Sequence, residues 1–263
     1  MTTDTIRRST ECDLRAIHSW LQEENAEGIS NFLCNWEIIE SSHKDGRLTV
    51  YVDGRTGVPV AFQLGRLLHP GILEVRNDMR RKGIGRKLVE HCIAEARESD
   101  ESFLIIECKP PSSIPFWRSM GFTPFGDQTQ RKFAYRALTK EHDMPAGAER
   151  TEVTVGFYPE KRIWGGGNTV GPCQVSRTTA AVMPDGVIYL RDRLAFCKKL
   201  HGEEGDVVIE IIVGGECRYL GKAKYPAAER IGVRWCTNGV YIDEIHPAEA
   251  TSKCDESRAP TNS

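Results

Sequence analysis

The sequence predicts a mixed α/β domain followed by a smaller, mainly β domain, read as a barrel or sandwich. Three observations carry this reading. Residues 73–96 pass from an apolar run (Leu73, Val75) through a charged turn and a Gly83-x-Gly85 into a stretch with apolar residues at Leu88, Val89, Cys92, Ile93 and Ala96, the spacing of one helix face. Upstream of it, helical and alternating apolar patterns follow one another. Beyond Thr151 the helical pattern gives way to short β-rich runs separated by Asp185-Gly186, Gly214-Gly215 and Asn238-Gly239, dipeptides suited to hairpin turns. The expected division is residues 1–140 for the first domain, 141–150 for a polar linker with Pro145 and Gly147, 151–249 for the β domain and 250–263 for a disordered tail.

In chain order, Thr5–Arg8 reads as a short strand. Thr10 with Asp13 three residues on provides a helix start, and Leu14, Ile17, Trp20 and Leu21 carry that helix to about Glu24. Ile29–Ser41 reads as a second helix through Phe32, Leu33, Trp36 and Ile39. Leu48–Val52 and Val58–Leu64 form a hairpin, and Ile72–Val75 a fourth strand after His69-Pro70-Gly71. Phe103–Ile106 is a continuous apolar run, expected as a buried strand parallel to its neighbour. Ile114–Ser119 reads as a short helix, and Phe133–Leu138 as a last strand partnered near Thr123–Phe125. In the second half strands are expected at 153–158, 178–182, 187–190, 207–213, 217–220, 231–235 and 240–245, with a helical turn at 194–200.

Composition narrows the class. The 263 residues are 40% hydrophobic and 27% charged with a net charge of -2, so no basic field argues for nucleic acid or a membrane surface. No apolar run approaches the roughly 18 residues that span a bilayer. The start of the chain lacks the apolar core of a signal peptide. Nine cysteines without a CxxC pair argue for free thiols in a reducing, cytoplasmic setting and against a metal site.

The glycine turn carries the chemistry. Two glycines between a strand and a helix let backbone approach a ligand, and the first helical amides and the helix dipole favour an anion there. Arg80, Arg81, Lys82 and Arg86 add full charge. The dinucleotide fingerprint G-x-G-x-x-G fails at Leu88, and the P-loop pattern is absent. Arg80-x-x-Gly83-x-Gly85 instead resembles the Q/R-x-x-G-x-G/A acyl-CoA loop of the GNAT superfamily of N-acetyltransferases, and Phe116-Trp117-Arg-Ser-Met-Gly121-Phe122 looks like that family's F-Y/W-x-x-x-G-F signature. The resemblance covers about residues 4–140. It implies the acyl-CoA N-acyltransferase fold, with a sheet splayed between its fourth and fifth strands. It implies acetyl-CoA as acyl donor and an amine as acceptor. Leu73 and Val75 would pair with the pantetheine. The segment Arg80, Arg81, Lys82, Gly83, Ile84, Gly85 and Arg86 would hold the diphosphate, with Phe116 and Trp117 beside it.

Acetyl transfer to an amine also needs a base, because an ammonium cannot attack. Three residues compete. His69 stands where some family members carry a catalytic His or Glu when aligned on Arg80. Glu74 has the opposite strand parity to Leu73 and Val75, which directs it toward the splay. Glu107 ends the apolar fifth strand. Trp117 occupies the position of the family's usual acidic tyrosine, and an indole N–H does not usefully give up its proton. Two functions follow: an acetyl-CoA-dependent N-acetyltransferase, or an acyl-CoA-binding module whose β domain recruits a partner. That domain could cover the acceptor cleft, engage a macromolecule or make a homodimer. Lys161, Arg162, Trp164 and Gly165–Gly167 mix basic and aromatic residues as nucleic-acid loops do, but acids balance bases in this half.

Overall fold

The computed structural model describes residues 3–126, 132–164 and 170–247. The Gly165–Gly167 loop and the tail from Ala250 lie outside them, as does the side chain of Trp164. The chain divides into two compact units, Met1–Leu138 and Thr139–Ser263.

Unit one runs β1 (Thr5–Arg8), α1 (Glu11–Ala26), α2 (Trp36–Lys44), β2 (Thr49–Val52), β3 (Pro59–Leu64), β4 (Ile72–Val75), α3 (Ile84–Glu98), β5 (Phe103–Glu107), α4 (Ile114–Ser119), β6 (Thr123–Phe125) and β7 (Phe133–Ala137). Thr10 and Asp13 start α1 with a reciprocal capping box: the Asp13 N–H donates to Thr10 Oγ1 at 3.3 Å and the Thr10 N–H to Asp13 Oδ2 at 2.7 Å. Thr10→Ala is expected to lower the stability of this unit by about 1 kcal/mol with its helix content retained, read from a urea titration followed by circular dichroism. α2 begins seven residues later than its apolar pattern suggests. Asn31 accepts from the Leu33 N–H at 3.1 Å and donates to Leu21 O at 2.8 Å, so its side chain takes the backbone into a turn before a helix can form.

The sheet comes in two parts. β1-β2-β3-β4 is antiparallel throughout, and β5-β7-β6 is a second antiparallel sheet. The expected parallel neighbour of β5 is therefore not a full strand: among the described residues one parallel bridge, Leu68 to Ile105, joins the two parts. The first sheet is buried on both faces. Leu14, Ile17 and Leu21 of α1 pack with Phe62, Leu64 and Ile72 on one side, while Ile84 and Leu88 of α3 pack with Tyr51, Ala61, Leu73 and Val75 on the other.

Unit two is one antiparallel sheet of seven strands: β8 (Glu149–Tyr158), β9 (Gln174–Val182), β10 (Ile188–Phe196), β11 (Val208–Val213), β12 (Glu216–Lys222), β13 (Val233–Cys236) and β14 (Gly239–Ile245), with short helices α5 (Lys161–Trp164) and α6 (Pro226–Arg230). The spatial order is β12-β11-β8-β9-β10-β14-β13. One core gathers Val153, Phe157, Leu190, Phe196, Ile209, Val233 and Ile242 from across the sheet, so the sheet curls around it as a half-barrel rather than closing or stacking on a second sheet. Of the helical turn expected at 194–200, Leu194–Phe196 instead extends β10, because Leu194 and Phe196 stand opposite Ile242 and Val240 and face the core, while Lys198–His201 does form a short 3-10 helix. Both ends of the stretch read as a linker are built into this sheet. Glu141 bridges Asp192, the His142 N–H donates to Arg191 O at 2.7 Å, and β8 already starts at Glu149. Buried Arg193 donates from Nε to Asp243 Oδ1 at 2.8 Å, and Lys140 and His142 lie 3.7 and 3.1 Å from the same carboxylate.

Candidate active site

α3 starts without a side-chain cap. Its Ncap is Gly83, at φ 80°, a left-handed conformation that glycine adopts without strain. The Lys87 N–H is the first in α3 with an acceptor one turn back, Gly83 O at 3.1 Å, which leaves the amides of Ile84, Gly85 and Arg86 without a helical partner. These amides border a cleft of about 680 Å³ in unit one, lined by Leu73, Glu74 and Val75 of β4, by Met79, Arg80, Arg81, Gly83, Ile84, Gly85 and Arg86, and by Ser112, Ser113 and Phe116 beside α4. A Cβ on Gly85 would stand 3.5 Å from the Phe116 ring and 3.6 Å from Val75, so glycine keeps the floor between strand and helix open. β4 pairs with β3 on one edge and has no strand on the other among the described residues. A phosphate-bearing, amide-bearing chain fits these features: bare helical amides and arginines at the turn, an open strand edge beside it.

Ten of the residues singled out from the sequence meet in this cleft: Leu73, Glu74, Val75, Arg80, Arg81, Gly83, Ile84, Gly85, Arg86 and Phe116. The structure does not bring the others there. Trp117 is buried in the core behind α4, edge-on to Phe116 and Phe122. The Lys82 ammonium turns to Met79 Sδ at 3.3 Å. His69 sits in the Gly65–Gly71 loop, which closes so tightly that a Cβ on Gly65 would lie 2.4 Å from Pro70 O. Its N–H donates to Ile105 O at 2.9 Å and its ring meets the edge of Phe133. Glu107 stands opposite Phe133 at the end of β5.

Glu74 is the titratable group of the cleft. It lies opposite Phe62 and shares the α1 face of the sheet with Ile72, so its parity leads into a second core and not to an open gap; it is only 6% exposed. Burial pushes its pKa up, the Arg80 guanidinium pulls it down, and the neighbouring Glu24 carboxylate raises it again, for a value of about 7. Arg80 donates to Glu74 Oε1 at 2.9 Å and to Val75 O at 3.0 Å. Glu24 in turn accepts from the Asn77 N–H at 2.6 Å, tying α1 to the turn that precedes Arg80. Sequence reasoning missed Glu24, although it continues the Leu14, Ile17, Leu21 stripe of α1, an acid at a buried helical position. It also missed Ser112 and Ser113. Cys108 is buried, and burial raises its thiol pKa, which disfavours a thiolate.

Residues 10–122 match the Acetyltransferase (GNAT) family model. The match lies within unit one. Similar to the chain among solved structures are a GNAT superfamily phosphinothricin acetyltransferase from Sinorhizobium meliloti in complex with AcCoA (21% identical, covering 52% of this chain and 89% of that one, TM-score 0.41) and the ribosomal-protein-alanine N-acetyltransferase from Brucella melitensis (25% identical, covering 51% and 99%, TM-score 0.37). A curated relative, the tRNA(Met) cytidine acetyltransferase TmcA of Aeropyrum pernix, is 40% identical over 53 residues, which span 20% of this chain and 7% of the relative. No helix among the described residues of the chain is long and apolar enough to cross a membrane. The eight cysteines among the described residues are free thiols.

Proposed function

We propose that unit one transfers an acetyl group directly from acetyl-CoA to an amine. The observation that carries this is one cleft in which uncapped helical amides, three arginines and a buried carboxyl with a pKa of about 7 converge. When bound, acetyl-CoA would supply an activated acyl carbon and a thiolate leaving group. The amides of Ile84, Gly85 and Arg86, with Arg81 and Arg86, would hold the diphosphate. The open edge of β4 at Leu73 and Val75 would align the amide-bearing arm as an added strand, with Phe116 packed against it. Glu74 would take the proton from the ammonium form of the acceptor; its raised pKa suits a base working near neutral pH. Arg80 would orient that carboxylate through the contact it already makes. Free thiols support a reducing, cytoplasmic setting.

Isothermal titration with acetyl-CoA and a thiol-release assay across an amine panel test this. The panel includes small amines, protein N-termini and cytidine in tRNA, the last because of the cytidine acetyltransferase relative. Micromolar binding with turnover on one class is expected. Binding without turnover on any class would favour the alternative, an acyl-CoA-binding module whose β unit recruits a partner, a reading that rests on Trp117 standing where a proton donor is usual.

A further inference from the structure

A second hollow of unit one, about 470 Å³, lies between α3 and the turn that follows α4. Arg86, Glu90, Ile93 and Arg97 reach it from α3 at helical spacing, and Arg136 borders it from β7. Three guanidiniums therefore meet one carboxylate. Glu90 stands 4.0 Å from Arg86 with its side chain 58% exposed, so it offsets little of their charge. The floor, Ile93 and Met120, is buried and apolar.

The arginines are placed and only partly used. Gly121 leaves room for Arg136: a Cβ there would stand 3.4 Å from its Nη1. That Nη1 donates to Met120 O at 2.5 Å, which fixes the guanidinium at the end of α4. The Arg97 guanidinium has no acceptor and no ion pair among the described residues. Arg86 lines both this hollow and the acyl-CoA cleft, and its guanidinium lies on this side, Nη2 donating to Ser119 Oγ at 3.3 Å. Three cations less one carboxylate leave a surplus of two. A phosphomonoester matches it, with about two negative charges at neutral pH and three acceptor oxygens for planar guanidiniums. The coenzyme's own 3′-phosphate is separated from the diphosphate by one ribose, whereas Arg97 lies about 16 Å along the helix from Arg86. A coenzyme seated on the glycine turn leaves that end open. We propose that this hollow binds a small phosphomonoester, which holds Arg86 away from the diphosphate and so weakens acyl-CoA in the neighbouring cleft. By linkage acyl-CoA weakens the phosphomonoester equally. The coupling rests on the acyl-CoA reading of the cleft; the site itself does not.

The test is isothermal titration of the full chain with coenzyme A in potassium phosphate and in potassium chloride at matched ionic strength. Phosphate is expected to weaken coenzyme A about tenfold relative to chloride, as withdrawal of one charged hydrogen-bond donor would. Arg97→Gln, outside the cleft, should bind coenzyme A like wild type in chloride and lose most of the phosphate effect; Arg97→Lys, which keeps the charge, should retain most of it. An equal phosphate effect in wild type and Arg97→Gln would show competition at the glycine turn alone and overturn the proposal, as would no effect in either. Weakening of coenzyme A but not of dephospho-coenzyme A by Arg97→Gln in chloride would assign the hollow to the coenzyme's 3′-phosphate and overturn it too. If wild type fails to bind coenzyme A, the acyl-CoA reading falls and the site is decided separately by phosphorus NMR of inorganic phosphate. Line broadening by wild type and not by Arg97→Gln would support the site, and equal broadening would overturn it.

Discussion

Gly83→Glu is expected to abolish coenzyme A binding while the protein stays folded. A carboxylate at the Ncap of α3 would stand among the uncapped amides and within about 4 Å of a seated diphosphate, where like charges repel by roughly 4 kcal/mol at an intermediate dielectric. The loss should exceed about a hundredfold. The fold should tolerate it, because a Cβ at Gly83 meets nothing within 4 Å. The remaining cost is the positive φ, about 1–2 kcal/mol for an L-residue. Gly83→Ala carries that same strain without the charge and separates the two effects. Affinity unchanged in the glutamate variant, measured by isothermal titration, would remove the diphosphate site.

Glu74→Gln is expected to lower turnover by about a hundredfold or more, the usual range for a lost general base, with coenzyme A affinity within about threefold of wild type. Glutamine keeps an acceptor for Arg80 and cannot take a proton. In the wild type, turnover should rise with pH through about 7, as Glu74 ionises, and then level. His69→Ala serves as the matched control. Retained activity in Glu74→Gln with loss in His69→Ala would move the base to the Gly65–Gly71 loop. Stability gives an independent reading. The folded pKa of about 7 lies above the ordinary 4.5, so between these values the folded state holds a proton that the unfolded chain has released. Wild-type stability therefore falls as pH rises from about 4.5 to 7, by up to roughly 2–3 kcal/mol, and the glutamine variant should lack that decline. Urea titrations at pH 5 and pH 8 check it.

Much of the site was legible because it is local. The Arg80–Arg86 turn and the apolar stripe of α3 lie within one short stretch, and strand, glycine turn and helix follow from residues that are neighbours in the chain. What the residue order does not carry is non-local. The parity of Glu74 reads as leading out of the core, but helices cover both faces of this sheet, so alternation along β4 does not distinguish core from cleft. Trp117 and Phe116 are adjacent on a six-residue helix, and nothing in their order tells which one meets the cleft. His69 precedes β4 in sequence, yet its backbone is claimed by Ile105 of β5. In the second unit the hairpin dipeptides placed the turns, while the curl of the sheet depends on which of seven strands lie side by side, a property of pairing and not of any one run.

The split between the two sheets of unit one has a practical side. Naked strand edges invite edge-to-edge association between molecules, and β4 offers one. A thioester arm lying along that edge would act as a plug against self-assembly. By mass action, coenzyme A at a hundred times its dissociation constant should stabilise the native protein by about 2.7 kcal/mol. Preparations stripped of it should melt earlier and scatter more light on standing than replenished ones, which makes shelf life itself a readout of occupancy.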